Sequence, residues 1–462
     1  MRSEESMAVI ELFTRKARAL CTDAPTMGEM ELALEKVASG FQLAALQALT
    51  QQRAAAVPAA CTCGTALRIE SHATFRTVNS HFGEFPLSRL YGYCHQCTQW
   101  IHPADAALGL HPRGRNSPRV QEVCALTALD HPAVYAQEKT RRLTGINLDA
   151  SSIHREARRQ GDRAIALREV NAEMTQSAKG IARLSAQAPA AAKDSTLVIE
   201  IDAWLIRERD QWGETAALRR ADEKITRWHW VYTATIFRLD QRATKESGRP
   251  VITDRAYVAT RLGLEAFRKQ LYAEALLRGA AQAKEVLVLG DGAAWIWNIA
   301  QDRFKDATHR VDLYHVNSHL WAVAHDLFGQ DSAEARAWVA PYISWLKNRK
   351  HGARDVINDL AQLLETKTDI TPEQRENLQR ELGYFDDHKD RMAYKQARLS
   401  GQPMGSGAIE STCSQYQSRF KLRGQFWSIE GDEAFLALWT LHHNGRWADL
   451  FPHENMRMRL AA

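Results

Sequence analysis

Apolar residues recur at three- and four-residue steps near the start of the chain: Ile10, Leu12 and Phe13, then Met30, Leu32, Leu34, Val37, Phe41, Leu43 and Leu46. That period lays them along one side of a helix, and the run Ala54-Ala55-Ala56-Val57-Pro58 closes this N-terminal helical region, 1–58. Over 59–105 the texture changes to short extended segments, 74–78 and 85–93, set between paired cysteines. Residues 106–185 return to the helical period, broken at Pro112, Pro118, Pro132 and Gly145, and the Ala-rich run 186–194 with Pro189 reads as a linker. Strand-like and helix-like segments then alternate over 196–325, as in an α/β domain. Residues 326–400 are polar, charged and helical in period, and predict an inserted all-helical subdomain; 401–450 completes the α/β core.

Within the α/β part, two apolar runs rich in β-branched residues end in an acid. Leu197-Val198-Ile199-Glu200-Ile201 leads into Asp202, and Val286-Leu287-Val288-Leu289-Gly290 leads into Asp291. Both read as buried strands. A third acid, Glu410, follows the turn Gly405-Ser406-Gly407 and opens a predicted helix. In a ribonuclease H-like sheet one carboxylate sits mid-sheet, a second ends a neighbouring parallel strand, and a third projects from a helix packed across them. Carboxylates so gathered hold Mg²⁺ or Mn²⁺, and two such ions can drive phosphodiester chemistry. A lone Asp at a strand end is more often a turn or cap residue; three in this order carry more weight. Asp312 and His315, one helical turn apart, either support that site from behind or cap the next helix. Arg419, Lys421 and Arg423 follow Glu410 and are expected to meet DNA phosphates. Of the thirteen tryptophans, Trp204, Trp228, Trp230, Trp295 and Trp297 gather near the acids and are mostly expected in the core. Core packing is also the expectation for Trp338 and Trp345, with stacking on unpaired bases as the alternative.

Seven cysteines, an odd number, argue against a disulfide framework. Cys61-Thr62-Cys63 and Cys94-His95-Gln96-Cys97, joined by two strands, predict a zinc ribbon with four thiolate ligands. A single residue between the first two thiols strains a shared tetrahedral grip, so His72, His81 or His95 is held open as a substitute ligand, and buried free thiols or redox work remain as alternatives. Cys21, Cys124 and Cys413 are expected in the core. The chain carries a net charge of +5, and residues 111–183 hold a surplus of that same size, thirteen Lys/Arg against eight Asp/Glu. A helix, the turn Gly145-Ile146-Asn147 and a second helix within this stretch predict a helix-turn-helix, with Ser151, Ser152, His154, Arg155 and Arg158 facing DNA. An ordinary basic helical hairpin is the alternative. No apolar run is long enough to span a bilayer and the N-terminus lacks a secretory layout, so a cytoplasmic location and no membrane partner are expected.

The runs Gly290-Asp291-Gly292-Ala293-Ala294-Trp295-Ile296, Asp312-x-x-His315, Gly407-Ala408-Ile409-Glu410-Ser411, Lys421-x-Arg423-Gly424-x-x-Trp427 and Asn444-Gly445-Arg446-Trp447 together resemble the DDE transposases of bacterial insertion sequences. The Kra-type group, related to Mutator-like enzymes, is the one they look most like, over roughly residues 59–450. The resemblance implies a catalytic triad of Asp202, Asp291 and Glu410 with two Mg²⁺ or Mn²⁺ ions, supported by Asp312 and His315. It further implies a zinc ribbon ahead of a helix-turn-helix, element-end and target DNA as partners, a homo-oligomeric synaptic complex and association with the nucleoid. Two rival expectations stand beside it: a decayed or repurposed DNA-binding protein, and a metal-dependent hydrolase of small phosphoesters.

Overall fold

In the computed structural model, which describes residues 2–22, 26–209, 215–221, 227–246 and 250–453, the chain divides into two units. One comprises residues up to 160 with those from 451 onward, the other 161–450.

The first unit begins with helices α1 (Arg2–Cys21) and α2 (Met27–Ala55). Thr26 and Glu29 form a reciprocal capping box at the start of α2, which satisfies two otherwise orphaned amides. Strands β1 (Arg68–Ser80), β2 (Gly83–Cys94) and β3 (Gln99–Ile101) form an antiparallel sheet in that order. Both long strands outrun their apolar signal because the hairpin ladder carries polar residues along with it. Val78, Phe85 and Leu87 pack with Leu43 and Leu46 of α2 into a small core; each fully buried apolar side chain there contributes about 1.5–3 kcal/mol. Helices α3 (Pro103–Ala107), α4 (Pro118–Asp130), α5 (Ala133–Thr144) and α6 (Ala150–Met174) follow, and the boundary between units falls inside α6.

The second unit contains α7 (Ala178–Ser185), β4 (Thr196–Glu208), α8 (Thr215–Arg220), β5 (Arg227–Arg238), the ribbon β6 (Arg242–Thr244) and β7 (Pro250–Ile252), then β8 (Ala256–Thr260), α9 (Leu264–Leu277), β9 (Glu285–Gly290), α10 (Ala294–Arg303) and β10 (Thr308–Val311). Among the described residues only helix follows: α11 (Leu313–Phe328), α12 (Ala333–Asn348), α13 (Gly352–Thr366), α14 (Pro372–His388), α15 (Tyr394–Leu399), α16 (Gly407–Phe420), α17 (Ile429–His443) and α18 (Trp447–Leu450). A five-stranded sheet of order β10-β9-β4-β5-β8 organises this unit. β9 and β10 run parallel to β4, whereas β5 and β8 form an antiparallel meander with it. The fold is therefore mixed α/β.

Alternation along β4 separates two faces. Leu197, Ile199 and Ile201 join a large core with Phe267, Ile296, Val316, Val339 and Phe385 of the surrounding helices. On the opposite face Val198, Leu287 and Leu289 pack with Phe237 and with Ala408 of α16. α16 thus lies across β4 and β5.

A buried charge cluster ties the end of β4 to β8 and α17. The Arg261 guanidinium donates to both oxygens of Glu208 at 2.5 and 2.7 Å, and stands 3.4 Å from Asp432. Burial, then the neighbouring Glu208, pushes the Asp432 carboxyl up to about 9, while the arginine holds Glu208 down. Asp432 is thus the acid that burial favours in its neutral form. A raised carboxyl stabilises the fold fully below its unfolded value and loses that contribution as pH rises towards 9. Denaturant melts at pH 5 and pH 9 are expected to show a loss of stability in the parent that Asp432→Asn largely removes; equal losses in both proteins would show that another group is responsible.

Candidate functional site

The acids meet through strand register. β4 pairs with β9 from Thr196↔Glu285 to Glu200↔Leu289, an offset of 89 that carries Asp202 opposite Asp291. β9 pairs with β10 up to Gly290↔Val311, and the same offset of 21 carries Asp291 opposite Asp312. Asp291 and Asp312 directly follow β9 and β10, whereas Asp202 does not end its strand as its apolar run suggested: β4 runs on to Glu208, because β5 pairs with it along that whole length. Alternation from Val198 and from Leu287 and Leu289 puts Asp202 and Asp291 on the face covered by α16.

Glu410 occupies the first turn of α16 and is exposed. Its neighbours anchor the helix to β4: the Ile409 amide donates to buried Glu200 at 2.9 Å, and the Cys413 thiol, one turn on, donates to Asp202 Oδ2 at 3.7 Å. Asp202 also accepts from the Ala203 amide at 2.7 Å. Burial, then the negative charge of Asp291, raises the Asp202 carboxyl, with the Ala203 amide opposing them. Burial pushes Glu200 up to about 8, opposed by the Ile409 amide. The turn before α16 is fixed from the other side, where the Ser406 hydroxyl donates to Asp312 at 2.6 Å. Asp312 also caps α11 by accepting from the Tyr314 amide, and His315 Nε2 lies 3.8 Å from it. Asp312 thus caps α11, as one of its two readings expected, and holds Ser406 as well.

Gly292 sits at φ +105, and a Cβ there would come within 2.9 Å of the Tyr384 ring. The Tyr384 hydroxyl donates to the Asp291 carbonyl at 3.2 Å. Gly292→Ala is expected to cost about 1–3 kcal/mol, from left-handed backbone and displacement of this ring. Urea unfolding checks it; an unchanged midpoint would show that Tyr384 moves freely.

Among the described residues, the group whose ligand atoms all lie within 4.8 Å of one another is Cys61, Cys63, Cys94 and Cys97. The three carboxylates are not drawn that close, although their donor set, oxygen only, suits a hard divalent cation. The cysteine group suits zinc. Cys61 and Cys97 sulfurs lie 3.8 Å apart and Cys63 and Cys94 sulfurs 3.6 Å, and tetrahedral Zn–S bonds of about 2.3 Å require sulfur edges of about 3.8 Å. Both members of the Cys-x-Cys pair take part, because Gly64 at φ +87 turns the chain back. The group includes none of His72, His81 and His95. Hydrogen bonds from Thr65 bring the Cys63 thiol down to about 6, while crowding by Cys63 and Cys61 pushes Cys97 up to about 12. Four thiols this close need a cation before all can ionise.

α5 ends at a left-handed Gly145 at φ +69, and α6 follows it after a short connection. Ser151, His154 and Arg155 are exposed on α6, whereas Ser152 and Arg158 are half-buried. Asp149 accepts from both serine hydroxyls, at 2.5 and 2.7 Å. Beyond α16, Lys421 and Arg423 are exposed. Arg419 is buried, its guanidinium packed over Phe420, Trp427 and Phe435, so it serves the core rather than facing a polyanion. Trp338 and Trp345 pack against Tyr342 and the large core. Trp204 and Trp297 are buried and Trp295 is partly so. Trp228 and Trp230 depart from the core expectation at 55% and 53% exposure. The physical reason is that β8 pairs with β5 only from Tyr232 onward and β9 leaves β4 after Glu200, so the hairpin runs on past both neighbouring strands.

No curated protein matches the chain. Residues 262–450 match a family described as Uncharacterised protein family (UPF0236), a stretch that takes in Asp291, Asp312 and Glu410 but not Asp202. A solved structure titled Drosophila P element transposase strand transfer complex aligns with 75% of this chain and 96% of its own, at 8% identity and a TM-score of 0.33. A likeness of that strength decides nothing about activity. Among the described residues no helix is long and apolar enough to cross a membrane.

Proposed function

We propose that this protein is a DNA transposase whose ribonuclease H-like core cleaves the 3′ strand at element ends and joins it to target DNA. The observation that carries the reading is the in-register placement of Asp202 and Asp291 beneath α16, whose first turn bears Glu410. Strand order supports the fold reading. In chain order the sheet runs fifth, fourth, first, second, third, with the first three strands antiparallel and the last two parallel to the first, an order compatible with a ribonuclease H-like sheet.

Asp202 and Asp291 would hold the divalent ions and Glu410 would complete their shell. When bound, such ions polarise the scissile phosphate and activate water or a 3′ hydroxyl. The chain's own contribution is placement. Glu200 and Ser406 pin both ends of the turn that presents Glu410, while Asp312 and His315 buttress that turn. Lys421 and Arg423 would meet phosphates. Ser151, Ser152, His154, Arg155 and Arg158 would engage element-end DNA, with the zinc-holding sheet as a rigid neighbour in sequence. Synapsis of two element ends calls for a homo-oligomer.

A repurposed protein that binds DNA without cutting is the second reading, and the complete set of acids weighs against it. The small-phosphoester hydrolase is disfavoured by the basic helical stretch. Incubating the full chain with Mg²⁺ and a labelled duplex from the flanks of its own gene tests the proposal: site-specific nicking is expected, and binding without nicking would leave the non-cutting protein.

A further inference from the structure

Beyond the acids, β4 and β5 continue as a two-stranded ribbon past the ends of β8 and β9, with a parallel bridge from Trp427 to the far end of β4 at Glu208. Its outer end carries an aromatic and cationic cluster to which, Lys421 apart, the proposed strand-transfer chemistry gives no part. Trp228 and Trp230 alternate onto one face of β5, each more than half exposed. Arg207, paired directly across from Trp228, lies with its guanidinium 5.7 Å from that ring and 4.3 Å from the ring of Phe426. The Lys421 ammonium stands 5.4 Å from the ring of Trp204 and 6.0 Å from that of Trp228. Among the described residues no carboxylate pairs with Arg207 or Lys421.

Two flat exposed rings between unneutralised cations suit a ligand with repeated flat apolar faces on an anionic backbone. We infer that this ribbon is a stacking platform for unpaired nucleotides of DNA, with Trp228 and Trp230 taking bases and Arg207 and Lys421 taking phosphates. The inference rests on the transposase reading for its choice of DNA, and adds the strand state of the substrate. Placement agrees with it. Asp202 pairs with Thr233, so Trp230 and Trp228 stand three and five residues further along β5, about 10 and 17 Å at strand rise. That is the span of roughly three to five stacked nucleotides. The two rings belong to the sheet face opposite Asp202, and Lys421, close to Trp204 and Trp228 alike, marks a path round the edge of β4 between its last pairing with β9 at Glu200 and the Trp427 bridge at Glu208. A strand separated near the cut would be held there, away from the acids and unable to re-pair.

The test uses the full chain and fluorescein-labelled oligothymidylate, which forms no pairs, beside a duplex of equal length. Trp228→Ala with Trp230→Ala is expected to weaken oligothymidylate binding about tenfold or more, to abolish its quenching of tryptophan fluorescence, and to leave duplex affinity unchanged. The pair Trp228→Phe with Trp230→Phe should restore much of the binding, since any ring stacks. Arg207→Ala should flatten the salt dependence, which the tryptophan variants should not. Both tryptophans are outside the core, so unfolding midpoints should match the parent. Unchanged oligothymidylate affinity in the double alanine variant overturns the platform, as does an equal loss for duplex. The two readings fail separately: Mg²⁺-dependent nicking by the parent with oligothymidylate binding indifferent to the tryptophans sinks the platform alone. Tryptophan-dependent binding without nicking upholds the platform and sinks the transposase.

Discussion

Asp291→Ala is expected to abolish Mg²⁺-dependent nicking of the element-end duplex, by about a thousandfold or more, while duplex affinity and the thermal midpoint stay near those of the parent. The size follows from what the carboxylate would do. A ligand bridging divalent ions at a reacting phosphate contributes several kcal/mol to the transition state, and each 1.36 kcal/mol is about tenfold in rate. The structural cost is small, because the half-buried Asp291 side chain makes one backbone bond, accepting from Ala293 at 2.9 Å, worth about 1 kcal/mol. Asp291→Asn keeps that bond and should be equally inactive, which separates charge from shape. Asp202→Ala should match either variant, and the double variant should be no worse than the singles, since the acids act as a unit. Residual nicking above a tenth of the parental rate in Asp291→Ala would remove this residue from the chemistry.

The second large effect concerns the four cysteines. Purified chain is expected to carry one zinc, and Cys94→Ser should lose it together with the order of residues 59–101. Zinc at such a site contributes about 10–16 kcal/mol in small metal-dependent modules, far more than the few buried side chains around Cys61, Leu67 and Cys94 provide. Elemental analysis gives the stoichiometry, and amide exchange locates the loss, which should spare β4 and β9. Metal-free protein with full protection over β1 and β2 would show that the ribbon stands on its own core.

What was legible in the sequence follows from chemistry that acts locally. Runs such as Val286 to Leu289 read as buried strands and form them, and Asp291 inherits the end of β9, whereas β5 carries β4 on past Asp202 to Glu208. Both cysteine pairs were legible for the same reason, since a thiol pair beside a glycine turn specifies its own geometry. Properties set by distant neighbours were not. Arg419 reads as a surface cation until Phe420, Trp427 and Phe435 close over it. Trp228 and Trp230 read as core until the strands beside them stop short. Glu200 drew no reading of its own, since its grip on the Ile409 amide spans 209 positions. One signal lay in plain view: Glu200 shares a strand face with Asp202, and Cys413 lies one helical turn from Glu410.

That long-range grip also governs how the protein comes into being. The strand bearing Asp202 emerges from the ribosome well before the helix that must cover it, so the nascent chain presents an unroofed apolar sheet face for many seconds at ordinary elongation rates. Closure over so great a sequence separation is slow, and until it happens Asp202 lacks the helix that bears Glu410. Chaperone dependence is the cellular consequence, and a ribosome-stalled chain ending before α16 should expose the face of Val198, Leu287 and Leu289.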